Sequence, residues 1–254
     1  AENFNVARVK KSLFRESYLG LVYTGRSADA DSVYRDQDLI GVDLDLSTSQ
    51  FRGDKNLKFQ AFFVGHTSPK EAPNASLGDL STRGIRLNYP NDLWQAHVSY
   101  REFGEEFDPA VGFNTRNGFK RLQPTVYYRP RPENSALIRQ MHFGVHFEYM
   151  TDMSNQLLKR QTRVEIFQLN FESADRISAA VVNLKEYLNH DFEIIEGNII
   201  TMGNYVTNGF MISGETSKRR KVAVKLSLSS GEFWTGNKQT VKGDLSLKPF
   251  PGVN

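Results

Sequence analysis

Three side chains of types that bind metal ions or transfer protons lie within one short stretch of the chain. His142, His146 and Glu148 share the same parity, so an extended strand places them on one face. At about 3.3 Å per residue, positions four apart lie roughly 13 Å from each other, too far to share one ion. His146 and Glu148, two positions and about 7 Å apart, form the candidate metal pair. A polar strand face without metal is the expected arrangement.

Four carboxylates between residues 102 and 108 raise the question of glycoside hydrolysis. That chemistry needs two carboxyl groups about 5 to 10 Å apart across the sugar. Here they are Glu102, Glu105, Glu106 and Asp108, in a segment that contains Gly and Pro and falls where a loop is expected. We therefore expect them to be solvated or to hydrogen-bond to the sheet. The sequence has no GxSxG, P-loop or HExxH motif and no cysteine, and it predicts neither catalysis nor a cofactor.

Charged residues also share strand faces with small and hydroxylated residues. Asp43 and Asp45 on one strand, with Arg86 and Arg101 on two others, could line a pore that selects small ions. They could equally form cross-strand pairs that fill a narrow interior. The predicted polar or lumen-facing set is Asp43, Asp45, Arg86, His97, Arg101 and His142.

One dense basic run, Lys218 to Lys221, could meet anionic lipid headgroups or an acidic partner, although a solvated hairpin turn is expected. Elsewhere the 32 basic and 29 acidic residues are spread along the chain. No basic stripe of the kind that binds nucleic acid is present, so no nucleic-acid partner is predicted. Hydrophobic residues make up 39% of the chain, and no stretch approaches the roughly 20 apolar residues of a membrane-spanning helix.

The elements that must hold these residues are β-strands, because apolar and polar side chains alternate with a period of two. In the segment 39–47, the even positions from 40 to 46 are apolar, while positions 41, 43, 45 and 47 carry Gly, Asp, Asp and Ser. The same separation recurs in the segments 93–101, 141–149, 221–228 and 241–248. Weaker strands are predicted at 18–24, 57–64, 84–89, 122–128, 164–171, 177–187 and 205–214.

Short turns between these strands predict antiparallel neighbours. Turns are expected at 52–56, 89–92, 172–175, 216–220 and 235–239, with longer connections at 67–83, 104–120 and 189–204. The predicted fold is all-β: an antiparallel meander of about a dozen amphipathic strands, barrel-like and either closed or partial, in one unit spanning residues 1–254. A β-sandwich is the alternative, because its apolar faces pack on each other, whereas those of a membrane barrel meet lipid. The apolar residues expected to face lipid or a protein partner are Trp94, Val98, Phe143, Phe147, Val224 and Leu226.

Three segments resemble a known group of proteins. The most specific is EFGEEFDPAVGF (Glu102 to Phe113) followed by RLQPTVYYRPRP (Arg121 to Pro132). The opening FNVARVKKSLFRESYLGLVYTGR (Phe4 to Arg26) and the stretch from His190 to Gly236 are similar to further parts of the same group, in the same order. These segments resemble the barrel region of large bacterial envelope proteins that carry a carbohydrate-binding family 9-like domain before an outer-membrane-type β-barrel of unassigned function.

The resemblance implies an outer-membrane barrel of a Gram-negative bacterium. The carbohydrate-binding domain has no counterpart here, so no sugar-binding residue carries over. The family barrel usually continues for several more strands, so we expect a shortened or truncated barrel.

The expected function is a non-enzymatic envelope protein with a structural or pore and scaffold role, whose partner is the lipid bilayer. One alternative is a β-rich accessory subunit docked on the periplasmic face of a larger membrane protein complex. Another alternative is a sugar-binding module with a glycan partner.

Overall fold

The computed structural model describes residues 2–28, 36–67, 74–109 and 111–248, and within these ranges every regular element is a β-strand. None of these residues belongs to a helix long and apolar enough to cross a membrane. The strands are β1 (Glu2–Leu13), β2 (Ser17–Ala28), β3 (Gln37–Phe51), β4 (Lys55–His66), β5 (Ser81–Pro90), β6 (Trp94–Phe103), β7 (Phe119–Tyr128), β8 (Ile138–Asp152), β9 (Leu157–Phe171), β10 (Arg176–Leu188), β11 (Phe192–Ile195), β12 (Asn198–Ile200), β13 (Gly203–Glu215), β14 (Val222–Phe233) and β15 (Gly236–Leu247).

Thirteen of these strands form one sheet in the order β1 to β10, then β13, β14 and β15, so each strand pairs with its neighbour along the chain. The prediction of an all-β antiparallel meander of about a dozen strands is confirmed. Within the described residues no pairing joins β1 to β15, so the sheet is not closed there. The other sheet is the two-stranded hairpin β11–β12. The two large packed sheets of the sandwich alternative are not what these residues form.

Two parts of the strand pattern escaped the sequence prediction. Strand β1 has charged residues on both faces, at Arg8, Lys10 and Lys11, and nearly all of it is exposed at the sheet edge. The predicted loop at 189–204 contains the β11–β12 hairpin, which turns at Gly197 with a φ of +83°. A left-handed residue of this kind is what a tight hairpin turn requires.

The predicted turn at 235–239 is wrong in its position. Strand β14 ends at Phe233 and β15 begins at Gly236, so the turn consists of Trp234 and Thr235. Trp234 takes the left-handed conformation itself, with a φ of +53°. The Gly-Asn-Lys sequence that suggested a loop is therefore already paired, with Gly236 opposite Phe233 and Asn237 opposite Glu232.

The chain separates into two compact units. The first comprises Ala1–Asn91, His97–Gln123 and Met150–Gln156, and the second comprises Asp92–Ala96, Pro124–Tyr149 and Leu157–Asn254. In the first unit, β2, β3, β4 and β5 pair in continuous register through most of their length, with Leu39 lying between Thr24 and His66. In the second, β9 and β10 pair with a register shift at Ala179 and Ala180.

A close contact in the second unit explains why one strand position is a glycine. Gly144 in the middle of β8 is buried, and the ring of Tyr127 on β7 lies directly against its α-carbon. A β-carbon at this position would overlap the ring. An aromatic side chain on the next strand can cover a glycine in this way. The ring then fills the space that the missing glycine side chain would leave and supports strand pairing.

We expect Gly144→Ala to lower the free energy of unfolding by about 1 to 3 kcal/mol, because the Tyr127 ring must leave its position. Urea unfolding followed by tryptophan fluorescence measures the change. Gly214→Ala on β13 is the matched control, since the nearest atom to its new β-carbon is 4.0 Å away. Equal stabilities for the two variants would contradict the role of this contact.

A single carboxylate braces two turns of the second unit. Asp175, in the turn between β9 and β10, accepts hydrogen bonds from Ser173 Oγ at 2.8 Å, from Ser217 N at 2.8 Å and from Arg220 at 2.6 Å. Ser217 and Arg220 belong to the turn between β13 and β14. The Ser173 hydroxyl, followed by the Ser217 amide and the Arg220 charge, lowers the pKa of Asp175 below its ordinary value of 3.8.

This lowered pKa predicts a pH dependence of stability. A carboxylate whose pKa is lower in the folded chain stabilises the fold above its unfolded pKa, and that contribution is lost as pH falls through the folded value. We expect wild type to be more stable than Asp175→Asn at about pH 7, and the difference to shrink as pH falls below 3.8. Denaturant titrations from neutral to acidic pH test this. Asp244→Asn, at an exposed position of β15, removes the same charge and is the matched control. Equal pH dependence of the two variants would contradict the role of Asp175.

Candidate functional site

The two faces of the strands have exposures opposite to those of a water-soluble protein. Asp45 and Thr125 are each 3% exposed, whereas Ile40 is 59% and Leu226 is 58% exposed. Most soluble proteins bury apolar side chains and leave carboxylates in water. Here the polar strand faces are the covered ones, and the apolar faces lie open. The buried polar residues are Ser17, Thr24, Gln37, Asp45, His66, Ser81, Thr82, Ser99, Thr125, Thr151, Asn170 and Ser217.

The side chains predicted to face lipid or a partner differ in their solvent exposure. Trp94, Val98 and Leu226 are exposed, whereas Phe143, Phe147 and Val224 are half-buried. Neighbouring rings account for part of this cover. Trp94 packs against Tyr128 with ring centroids 4.7 Å apart, and Phe143 lies 6.4 Å from Tyr128.

Asp45 is the centre of the polar face in the first unit. Its carboxylate pairs with Lys58 Nζ at 2.7 Å and accepts hydrogen bonds from Gln60 Nε2 at 3.0 Å and Ser47 Oγ at 2.8 Å. These donors come from β3 itself and from β4, where Gln60 is the register partner of Asp45. Three donors satisfy the buried charge, which would otherwise be costly to remove from water.

Asp43, two positions earlier on β3, has a separate partner. Its carboxylate pairs with Arg8 of β1 at 2.7 Å, across the intervening strand β2. Gly20 of β2 lies opposite Asp43 in the register, and a β-carbon there would collide with the carboxylate. The absence of a side chain at Gly20 lets this ion pair form over the strand.

The loop after β6 is fastened to the polar face by His66. Asp108 N donates to His66 Nε2 at 3.1 Å, and His66 Nδ1 lies 2.7 Å from the carbonyl oxygen of Thr67. Gln37 Nε2 donates to the Asp108 carbonyl oxygen at 2.9 Å. Phe107 is 5% exposed, and its ring is tilted by 54° to the His66 ring, with the ring centroids 5.8 Å apart. His66 and Gln37 were missed in the sequence, where nothing marked them as contacts of a distant loop.

The backbone of this loop, rather than its carboxylates, makes these contacts. Gly104 N donates to Ser81 O at 2.8 Å, and Glu106 N donates to Asp79 O at 3.0 Å. The Glu105 and Glu106 side chains are exposed. Glu102 lies on β6, where it pairs with Arg83 at 2.6 Å.

Three arginines lie on the polar face of consecutive strands: Arg86 on β5, Arg101 on β6 and Arg121 on β7. Among the described residues, none of the three forms an ion pair with a carboxylate. The Nε atoms of Arg86 and Arg121 are shielded from solvent and have no hydrogen-bond partner. Arg86 and Arg101 belong to the predicted polar set, whereas Arg121 was missed. Its signal was the parity of β7, where Arg121 shares its face with Gln123 and Thr125.

The histidines of the second unit are held by neutral partners. His142 Nε2 lies 2.9 Å from Asn170 Nδ2, and His146 Nδ1 lies 2.7 Å from Thr125 Oγ1. Glu148, the other member of the candidate metal pair, is 3.1 Å from Lys159 Nζ. No group of three or more metal-binding side chains occurs in the described part of the chain. In the first unit, His97 is half-buried on β6.

Aromatic residues at strand ends divide between the two faces. Phe103 stacks on the buried Phe119 at 4.8 Å and meets Phe107 at 6.2 Å, in a cluster on the polar side of the first unit. In the second unit, Trp234 contacts Tyr205 at 5.2 Å and the β11 residue Phe192 at 5.9 Å. Only some strand-end aromatics of the described residues therefore lie on the exposed face.

The basic run, Lys218 to Lys221, lies in the turn between β13 and β14, as expected. Arg220 pairs with Asp175, and Lys248 Nζ donates to the carbonyl oxygen of Lys218 at 2.6 Å. The run is exposed, and at least one of its charges has a carboxylate partner. Its role in the fold is to close a hairpin.

We expect Asp45→Ala to lower the free energy of unfolding by about 1 to 3 kcal/mol, because Lys58, Gln60 and Ser47 all lose their acceptor. Denaturant titration measures this. Asp54→Ala is the matched control, since Asp54 pairs with Lys55 at 2.6 Å but is 74% exposed. Exposed pairs contribute little, so this control should be indistinguishable from wild type. An equal decrease in unfolding free energy for both variants would show that the buried hydrogen bonds of Asp45 do not stabilise the fold more than an exposed ion pair does.

Comparisons of this chain with protein-family models, with curated proteins and with solved structures give no match. The likeness to the barrel region of bacterial envelope proteins therefore stays a prediction from the sequence.

Proposed function

We propose that this chain is a non-enzymatic protein of the Gram-negative cell envelope, part of a barrel-like structure in the outer membrane, with a structural or pore and scaffold role. The observation that carries the proposal is the reversed exposure of the strand faces. Apolar side chains such as Ile40, Val98 and Leu226 lie open, while Asp45 and Thr125 are covered. Exposed apolar faces and covered polar faces are favourable when the protein is surrounded by lipid.

The number of exposed apolar side chains supports lipid over water. Transfer of apolar surface from water to hydrocarbon contributes about 25 cal/mol per Å². Monomeric soluble proteins rarely leave contiguous apolar patches beyond a few hundred Å². On β2 alone, Leu19, Leu21 and Tyr23 are exposed, and their register partners Leu44, Val42 and Ile40 continue the surface on β3.

A second candidate role, an accessory subunit docked on a larger membrane complex, draws support from the sheet edges. In the described residues, β1 and β15 each pair on one side only. Unpaired backbone groups are not tolerated in hydrocarbon, so both edges need further strands or a protein cover before the sheet can sit in lipid. A protein partner would satisfy the same edges at the periplasmic face.

A charge placed on the apolar face separates the two candidates. We expect Val98→Arg, in the middle of β6, to destabilise the protein in lipid vesicles by about 2 to 4 kcal/mol, as charges do on the lipid face of barrels. Urea unfolding from vesicles measures this. Leu137→Arg is the matched control, because Leu137 is 65% exposed but lies outside the strands. Equal effects of the two changes would contradict a lipid-facing β6.

Phase partitioning of the purified full chain supplies the complementary measurement. A lipid-facing protein enters the detergent phase without any companion. A docked subunit leaves native membranes with a stoichiometric protein partner and stays in the aqueous phase once released. That second result would overturn the lipid-facing proposal in favour of the accessory subunit.

A further inference from the structure

The arginine triad, consisting of Arg86, Arg101 and Arg121, is a concentration of positive charge without a counter-charge. The three residues occupy neighbouring strands β5, β6 and β7 in the first unit. Arg86 and Arg121 both lie close enough to Arg101 for their charges to act on it. Like charges gathered on a covered face repel one another, so this arrangement costs stability unless an anion joins it.

Three carboxylates on the strands of the first unit pair with other cations. Asp43 pairs with Arg8, Asp45 with Lys58, and Glu102 with Arg83. Each of these pairs has a separation of 2.7 Å or less. Opposite Arg86 in the register lies Gln60, whose amide nitrogen is bound to Asp45. Asp43, Asp45 and Glu102 therefore already have cationic partners other than the triad.

Unsatisfied N–H groups give a second, independent indication. The Nε atoms of Arg86 and Arg121 are shielded from solvent, and neither has a hydrogen-bond partner in the described chain. Buried donors are satisfied in most native structures, and each exception calls for a reason such as an unseen ligand. These two donors flank Arg101 on the neighbouring strands β5 and β7.

The triad is also held in position by its neighbours. A β-carbon at Gly84 would lie 3.1 Å from Cγ of Arg101, so the stem of that arginine runs over the space that the glycine leaves empty. The guanidinium of Arg121 lies 5.6 Å from the ring centre of Phe119. Cation–π contact of this kind holds a guanidinium while leaving its N–H groups free to bind.

We propose that Arg86, Arg101 and Arg121 form a binding site for an anion with several oxygens, of the phosphate class. Guanidinium groups present planar pairs of N–H donors that match the oxygens of phosphate and carboxylate. A phosphate group offers enough acceptors to bridge three arginines and to satisfy the two unpartnered Nε atoms. The site lies on the polar face, and the membrane proposal concerns the apolar face. The two proposals can therefore be tested independently.

Calorimetric titration of the full-length chain with inorganic phosphate, in a detergent that carries no phosphate, tests the site. Wild type should bind phosphate saturably, and Arg101→Gln should weaken binding by about tenfold or more, as expected for a lost charge-assisted hydrogen-bond pair. Arg101→Lys keeps the charge without the planar fork and should fall between the two. Arg163→Gln is the matched control, because Arg163 has Glu165 as a carboxylate partner at 3.8 Å.

Free phosphate and a lipid phosphate share this chemistry, so a second titration uses micelles doped with phosphatidic acid. Binding of inorganic phosphate that is lost in Arg101→Gln assigns a soluble anion. Binding of phosphatidic acid alone, lost in the same variant, assigns a lipid headgroup. No saturable binding of either probe, or equal binding by wild type and Arg101→Gln, would overturn the site.

Thermal unfolding gives a readout that does not depend on measuring the ligand itself. In dilute buffer without phosphate, Arg101→Gln should raise the unfolding temperature, because it relieves repulsion within the triad. Added phosphate should raise the unfolding temperature of wild type more than that of the variant. A variant less stable than wild type under both conditions, with the same response to phosphate, would show that Arg101 is only structural.

Discussion

The alternation of side chains along an antiparallel ladder is the constraint on which the rest of this structure depends. Successive residues point to opposite faces, so a slip of one residue would exchange the two faces of a strand entirely. Such a slip in β3 would place Asp43 and Asp45 on the apolar side and Val42 and Leu44 on the polar side. The pairing of Asp45 with Lys58 and of Asp43 with Arg8 therefore fixes register as well as charge.

Covered polar faces are stable only where their donors and acceptors are matched. Asp45 meets this requirement with three donors from β3 and β4, and His66 meets it by joining the loop at Asp108 to the sheet. The arginine triad departs from the same rule on neighbouring strands. The two cases differ. The buried carboxylate of Asp45 has three donors, whereas the three neighbouring guanidinium groups have no carboxylate partner among the described residues.

The sequence was sufficient where alternation was strong and local. Strands β3, β6 and β8 were predicted because their apolar and polar residues separate cleanly by parity. Strand β1 was missed because an edge strand exposed on both sides needs no such separation. Arg121 was missed although its parity was visible, since only the neighbouring strands show that it joins Arg86 and Arg101. Contacts such as His66 with Asp108 join residues 42 positions apart, and local pattern carries no information about them.

Two features of the structure lack a partner among the described residues: the exposed apolar strand faces with the sheet edges, and the arginine triad. The open apolar faces and the edges of β1 and β15 require a medium or partner that removes hydrocarbon from water and completes backbone pairing. The arginine triad requires negative charge on the opposite, polar face. No single occupant could supply both, because a strand presents its two faces in opposite directions. In the two proposals together, an apolar environment covers one face and an anion binds the other, and the strand alternation keeps the two apart.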